Sequence, residues 1–368
     1  MAHWLKRQPH FVAAKHKKKT FAIWVQPAKA DDESACPLIA SDIQLVDFLE
    51  LPSSRVLDWL LLPHRRRRTE VDHYSRRWLR GHNGRSRLIE EPRPLLKRVQ
   101  RLINAEILTH LVIHDVAHAY QPGRSVMTCA SPHVGQRVVL KMDLQNFFGT
   151  ISLRRVAAQF RRCGYDRPIA LSLAQLCTAP AIPPGDAIDC SDHFTREHLP
   201  QGAPTSPTLA NAVAFQMDRR LIGLSNAVGI TYTRYADDLF FSGDSDFACR
   251  VNRFSTTVAL IAMEEGFTVA HRKTRTMFDG HRQRVLGLTV NQKLNSGREE
   301  YERLKAILTN CYRHGWRSQN RDNHPHFADH LRGRIAHVSQ CNANRGQKLM
   351  QLFNKIPWNQ NSPTTTIT

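Results

Sequence analysis

Gly229-Ile230-Thr231-Tyr232-Thr233-Arg234, then Tyr235-Ala236-Asp237-Asp238, then Leu239-Phe240-Phe241-Ser242 is the stretch that decides the fold. β-Branched and aromatic residues on both sides of a short polar break predict two strands joined by a tight hairpin. Two adjacent carboxylates at its tip oppose each other's ionisation. A divalent cation removes that conflict, and hard oxygen donors suit magnesium where substrate phosphates and water complete the coordination. Alone, the tetrapeptide reads more readily as an exposed acidic turn, because aspartate is a common turn residue.

Upstream, Val138-Val139-Leu140-Lys141-Met142-Asp143 predicts a buried strand that ends in a carboxylate. A sheet that sets Asp143 beside Asp237 and Asp238 would gather three carboxylates on two magnesium ions, with manganese as a substitute. Such a pair of ions serves in-line phosphoryl transfer. Without the hairpin, Asp143 is simply a strand-end residue entering a turn.

Charge points to the substrate class. The 368 residues carry 52 Lys plus Arg against 32 Asp plus Glu, a net +20 with a pI of about 10.1. Such an excess implies a polyanionic partner, by default nucleic acid. No run of 18 apolar residues is present, and Met1–Lys19 is basic without an apolar core segment, so a cytoplasmic location away from membranes is expected. The eight cysteines are scattered without a Cys-x-x-Cys pair, which fits a reducing compartment. Cys177, Cys190, His193 and His198 match no standard zinc spacing, and no zinc is predicted.

Periodicity supplies the rest. Ile43 to Leu61 reads as helical, followed by the basic run His64–Arg68, a phosphate contact or a solvated face. Strands are predicted at 71–80 and 85–91 around Gly81-His82-Asn83-Gly84, and an amphipathic helix from Leu95 to Ile107. Helices follow at 152–162, 167–177, from Pro207 through Leu221, and at 246–265. Strands are predicted near 267–271 and 284–290, then a basic helical tail from Arg298 to Phe353. The mixture is α+β.

Three segments occur in order: Asp143-Leu144-Gln145-Asn146-Phe147-Phe148; Leu199-Pro200-Gln201-Gly202-Ala203-Pro204-Thr205-Ser206-Pro207, continuing into Leu209-Ala210-Asn211; and Arg234-Tyr235-Ala236-Asp237-Asp238. Each is short, but collinear matches are highly specific. From about Arg87 to Trp358 the chain resembles the reverse transcriptases, and among them the retron-type bacterial enzymes. The resemblance implies a right-hand polymerase with fingers, a palm of antiparallel sheet and helices, and a helical thumb. The corresponding division is a loosely ordered basic extension at 1–40, N-terminal helices and fingers at 41–136, a palm at 137–292 with a fingers-type insertion at about 152–205, and an RNA-binding thumb at 293–368.

Carried over position by position, the resemblance implies that Asp143, Asp237 and Asp238 are catalytic metal ligands. Phe148 becomes an aromatic gate that collides with a ribose 2′-OH, and Gln201 with Gly202 lines the nucleotide pocket. Arg87 resembles the residue that grips the triphosphate, and Lys273 the lysine that protonates departing pyrophosphate. A surface arginine and a solvated lysine are the plainer readings of the last two. Cys129-Ala130-Ser131-Pro132-His133 resembles the retron Asn-Ala-x-x-His motif with Cys for Asn, and Val285-Leu286-Gly287 resembles Val-Thr-Gly with Leu for Thr. His133 therefore joins Arg313, Arg317, Arg332 and Arg334 as RNA-binding candidates; Arg313 and Arg317 alternate with Tyr312 and Trp316 as stacking contacts require.

By the same resemblance the chain binds a cognate structured noncoding RNA, primes from a guanosine 2′-OH, consumes dNTPs and leaves RNA-linked single-stranded DNA (msDNA). The family setting is antiphage defence beside a separately encoded effector protein. Two alternatives stand next to it: another bacterial reverse transcriptase, unknown-group or group II intron-like, and an RNA-binding protein with a disused polymerase site.

Overall fold

The computed structural model describes residues 36–62, 72–80, 86–180 and 196–358. Two short helices come first, α1 (Asp42–Phe48) and α2 (Ser54–Leu61). The Ser41 hydroxyl accepts the Gln44 N–H and starts α1. Strands β1 (Tyr74–Arg80) and β2 (Ser86–Pro92) pair antiparallel from Tyr74↔Pro92 to Arg80↔Ser86. Pro94 opens α3 (Pro94–Glu106), where a missing N–H costs nothing. The helix turns Leu96, Val99 and Ile103 inward at helical spacing.

After α4 (Val126–Ala130), held by a Ser125–Thr128 capping box, comes β3 (Val138–Asp143). Helices α5 (Leu153–Arg162) and α6 (Arg167–Cys177) coincide with the expected spans. The helix expected from Pro207 to Leu221 is instead two, α7 (Ser206–Val213) and α8 (Phe215–Val228), which meet at Ala214, where ψ opens to −6°. Strands β4 (Thr231–Tyr235) and β5 (Asp238–Gly243) form the expected hairpin, and α9 (Ser245–Glu264) follows.

The strand expected at 267–271 does not form. Val269 makes only an isolated bridge to Leu144, 271–273 is a 3-10 turn, and the ladder resumes at β6 (Arg275–Phe278). The four-stranded sheet has the order β4-β5-β3-β6, antiparallel throughout, so β3 and β5 are central. Helix α9 packs on β3 and β5, and α8 on β4 and α9. Val138, Leu140, Leu239 and Phe241 are fully buried on the helix-covered face, and Val139 and Phe240 are fully buried on the opposite face with Cys129, Val285 and Leu288. Each contributes about 1.5–3 kcal/mol by leaving water.

The segment 284–290 resolves into two-residue strands β7 (Arg284–Val285) and β8 (Leu288–Thr289) around Leu286-Gly287. Both turn residues have positive φ, 50° and 84°, as a tight hairpin turn requires, so Leu286 carries strain that glycine would not. Helices α10 (Arg298–His314), α11 (Phe327–Cys341) and α12 (Ala343–Asn354) complete the chain around their own core of Leu304, Leu308, Leu331, Ile335, Leu349 and Phe353. The extension at 1–35, the basic run His64–Arg68, and Cys190 and His193 lie outside the described residues. No helix among the described residues is long and apolar enough to cross a membrane.

Candidate active site

The sheet register brings the carboxylates together. Asp143, the last residue of β3, pairs directly with Asp238, the first of β5. Asp237 sits between β4 and β5 in a two-residue turn whose first member, Ala236, has φ of 54°. That conformation favours glycine in such turns, so Ala236 stores strain at the tip. Two hydrogen bonds hold it: Leu144 N–H donates to the Asp237 carbonyl at 2.8 Å, and Arg234 Nη1 to the Ala236 carbonyl at 3.1 Å. The turn is thereby pinned to the end of β3 and to β4.

Its electrostatics are unbalanced. Burial, then Asp238 and Asp143, push the Asp237 carboxyl above its ordinary value. Burial also pushes Asp238 up, against the pull of the Lys141 ammonium 2.9 Å from its Oδ2. Asp238 Oδ1 is buried without a hydrogen-bond partner. Lys273 Nζ lies 2.9 Å from both oxygens of Asp143. Hard oxygen donors, an orphaned carboxylate oxygen and charges that destabilise one another fit a divalent cation. Among the described residues no group of three His, Cys, Asp or Glu side chains is gathered closely enough to hold a metal ion by itself. Protein carboxylates plus substrate phosphates and water are the mode magnesium prefers.

Five residues past Asp143, Phe148 is half-buried, 5.5 Å from the Phe147 ring and 6.4 Å from that of Tyr120. Tyr120 is half-exposed with φ of 60°. Gln201 and Gly202 form a loop that lies directly on β2. Glu90 N–H donates to the Gln201 carbonyl at 2.9 Å, and Gly202, at φ of 131°, has no room for a Cβ: one placed there would stand 2.8 Å from the Glu90 carbonyl oxygen. The Glu90 side chain in turn takes Arg76 Nε at 3.0 Å and His198 Nε2 at 2.8 Å, both Glu90 and His198 being buried. Arg87 is on the same strand, opposite Leu79. The loop, β2 and His198 are thus one bonded unit.

The structure corrects the reading of His133 as an RNA contact. It is fully buried, with Nδ1 2.6 Å from Ser242 Oγ and Nε2 2.8 Å from Thr233 Oγ1. Burial, with His118 nearby, pushes its pKa down to about 3, so it is a neutral internal link between β4 and β5. The substituted Cys129 works at the same place, its thiol 3.2 Å from Thr233 Oγ1. Arg334 is less available than expected, because Glu300 holds it at 2.6 Å and it is only a quarter exposed. Arg332 pairs with Asp329 at 3.0 Å and lies over Phe353, while Arg317 lies over Trp316. Arg313 and Tyr312 are exposed on α10. His198, one of the weighed zinc candidates, is occupied by Glu90, and burial pushes the Cys177 thiol up to about 12.

Three participants escaped the sequence reading. Lys141 and Glu90 sit in strands where alternation alone assigns no partner. Arg234 is fully buried; a lone cation inside an apolar strand was its only signal.

Residues 79–290, more than half of the chain, match the family described as reverse transcriptase (RNA-dependent DNA polymerase). The retron Mx65 reverse transcriptase of Myxococcus xanthus is 41% identical over 77% of this chain and 65% of its own length. The retron Mx162 reverse transcriptase of the same species is 38% identical over 60% and 48%, respectively. The retron Ec86 reverse transcriptase of Escherichia coli is 28% identical over 75% and 78%. The chain therefore spans less than two thirds of the two Myxococcus relatives.

Proposed function

The chain belongs to the reverse transcriptase family, in its retron-type branch, and from that premise we propose that it is an RNA-directed DNA polymerase. The observation that carries the reading is the register of Asp143 against Asp238, with Asp237 pinned at the intervening turn. Asp143, Asp237 and Asp238 are the residues that would hold two magnesium ions, and such ions would supply acidification of the attacking hydroxyl and neutralisation of charge on the leaving oxygen.

The chain's own residues do the positioning. Gln201 and Gly202, braced on β2, form the wall against which a dNTP is ordered, and Arg87 of that strand is the triphosphate contact. Phe148 occupies the space a 2′-hydroxyl would need, so deoxynucleotides fit and ribonucleotides clash. Lys273, half-exposed beside Asp143, is the proton donor to departing pyrophosphate. Most of the barrier reduction comes from orientation and charge placement, because phosphoryl transfer asks little covalent chemistry of the protein.

The finer reading follows the relatives. The chain copies part of a cognate structured RNA into RNA-linked single-stranded DNA, priming from a guanosine 2′-OH, in an antiphage system with a separately encoded effector. Exposed Arg313, Arg317 and Arg332, with Tyr312, supply the RNA contact in the C-terminal helices. Isolating the protein from its native host and sequencing the bound nucleic acid tests this. A DNA strand branched from an internal guanosine of one RNA is the expected result; unbranched or random nucleic acid would reject the retron-type product.

A further inference from the structure

Arg234 is the largest fully buried side chain among the described residues. Its Nε and Nη2 grip Asp218 of α8 at 2.8 and 2.7 Å, and Asp218, equally buried, also accepts the Tyr232 hydroxyl at 2.9 Å. Removing a charge pair from water is costly, and an apolar pair of similar volume would serve stability as well. Stability alone therefore does not account for an arginine at this position.

Its remaining contacts point to the catalytic site. Nη1 donates to the Ala236 carbonyl at 3.1 Å, inside the strained turn that presents Asp237. The same nitrogen donates to Asn211 Oδ1 at 2.9 Å, and Asn211 Nδ2 donates to the Ala119 carbonyl at 2.8 Å, next to Tyr120. The guanidinium also lies 5.8 Å from the centre of the Phe147 ring, which touches Phe148. Backbone bonds reinforce the arrangement: Arg234 N–H donates to Val116, and His118 N–H to the Arg234 carbonyl, both at 2.8 Å. One planar guanidinium thus bonds the aspartate turn directly and reaches the chain neighbours of Tyr120 and Phe148, Ala119 through Asn211 and Phe147 through its ring.

We propose that Arg234 is a positioning residue that couples the metal-binding aspartate turn to the sugar-facing aromatic wall, with Asn211 as its arm toward Tyr120. The proposal rests on the polymerase reading above. Only a rigid fork of donors makes these contacts at once; an ammonium on a flexible stem keeps the charge against Asp218 but not the geometry.

Two variants test it, Arg234→Lys and Asn211→Ala. The readouts are Mn2+ binding to the nucleotide-free protein by electron paramagnetic resonance and the ratio of dNTP to rNTP incorporation; melting temperature reports folding. Arg234→Lys is expected to weaken Mn2+ binding by about tenfold or more, as loss of outer-sphere support does, and to lower the sugar ratio as well. Asn211→Ala is expected to lower the sugar ratio while leaving Mn2+ binding at the wild-type value. A folded Arg234→Lys protein that keeps either readout at its wild-type value would overturn the coupling. So would Asn211→Ala with unchanged discrimination, which decides the matter if the lysine variant does not fold. Wild-type protein that incorporates no nucleotide would reject the polymerase reading instead, and the Mn2+ measurement would still judge the grip of Arg234 on the turn.

Discussion

Adding one methyl group at Gly202 should damage the nucleotide site by forcing its wall off β2. Gly202 has φ of 131°, and an alanine Cβ there would stand 2.8 Å from the Glu90 carbonyl oxygen, a backbone atom that cannot swing aside. Overpacking of this kind costs about 1–3 kcal/mol, and an L-residue at such φ adds about 1–3 kcal/mol more. The contact is relieved only if the loop backs away from β2, which stretches the 2.9 Å bond from Glu90 N–H to the Gln201 carbonyl. Each 1.4 kcal/mol of strain that persists when nucleotide is bound is about a tenfold loss of affinity. We therefore expect Gly202→Ala to raise the KM for dNTP at least about tenfold and to lower the melting temperature, with RNA affinity unchanged. The matched control is Gly223→Ala in the middle of α8, where an added Cβ meets nothing within 4 Å. It should be neutral or gain about 0.5–1 kcal/mol. Steady-state primer extension against dNTP concentration, with thermal melts of both variants, reads the contrast. Wild-type KM and melting temperature in Gly202→Ala would refute the idea that close approach to β2 shapes this loop.

Three further outcomes are expected. His133 is held at about pKa 3 in the fold, below its ordinary 6.5, so the unfolded chain takes up a proton that the native chain refuses; stability is full above pH 6.5 and falls by about 1.4 kcal/mol per pH unit toward pH 3. His133→Gln should flatten that part of the dependence in urea melts between pH 7 and pH 5, and an unchanged slope would contradict the burial argument. Phe148→Ala should admit ribonucleotides in primer extension; retained discrimination would put the gate elsewhere. RNA binding should weaken linearly in log–log plots against salt, and Arg313→Ala should reduce the slope by about one if that side chain contacts a phosphate. A slope indifferent to Arg313 would remove it from the interface.

The sequence made the catalytic hairpin readable because strand propensity, a two-residue break and a carboxylate-ended strand upstream all agreed. α6 was equally plain, its apolar spacing running unbroken from Ile169 to Leu176. The break at Ala214 was hidden, since no glycine or proline marks it and both halves share good helix formers. Val269 and its neighbours carry strand propensity, yet tertiary context allows them one bridge, and the ladder goes to the polar Arg275–Phe278. At the site, the three aspartates were legible by type and order. The groups that hold them were not, because Arg234 meets Asp218 and Asn211 across 16 and 23 positions and Lys141 meets Asp238 across 97. The retron motif histidine misled for a related reason: its partners, Thr233 and Ser242, lie about a hundred residues away and draw it inside.

The central claim is that Asp143, Asp237 and Asp238 form one metal-dependent polymerising centre. Primer extension by purified protein with an RNA template, dNTPs and magnesium tests it most directly, comparing wild type with Asp237→Ala combined with Asp238→Ala. The paired variant should bind RNA as the wild type does and extend nothing. Extension at the wild-type rate by that variant would contradict the account.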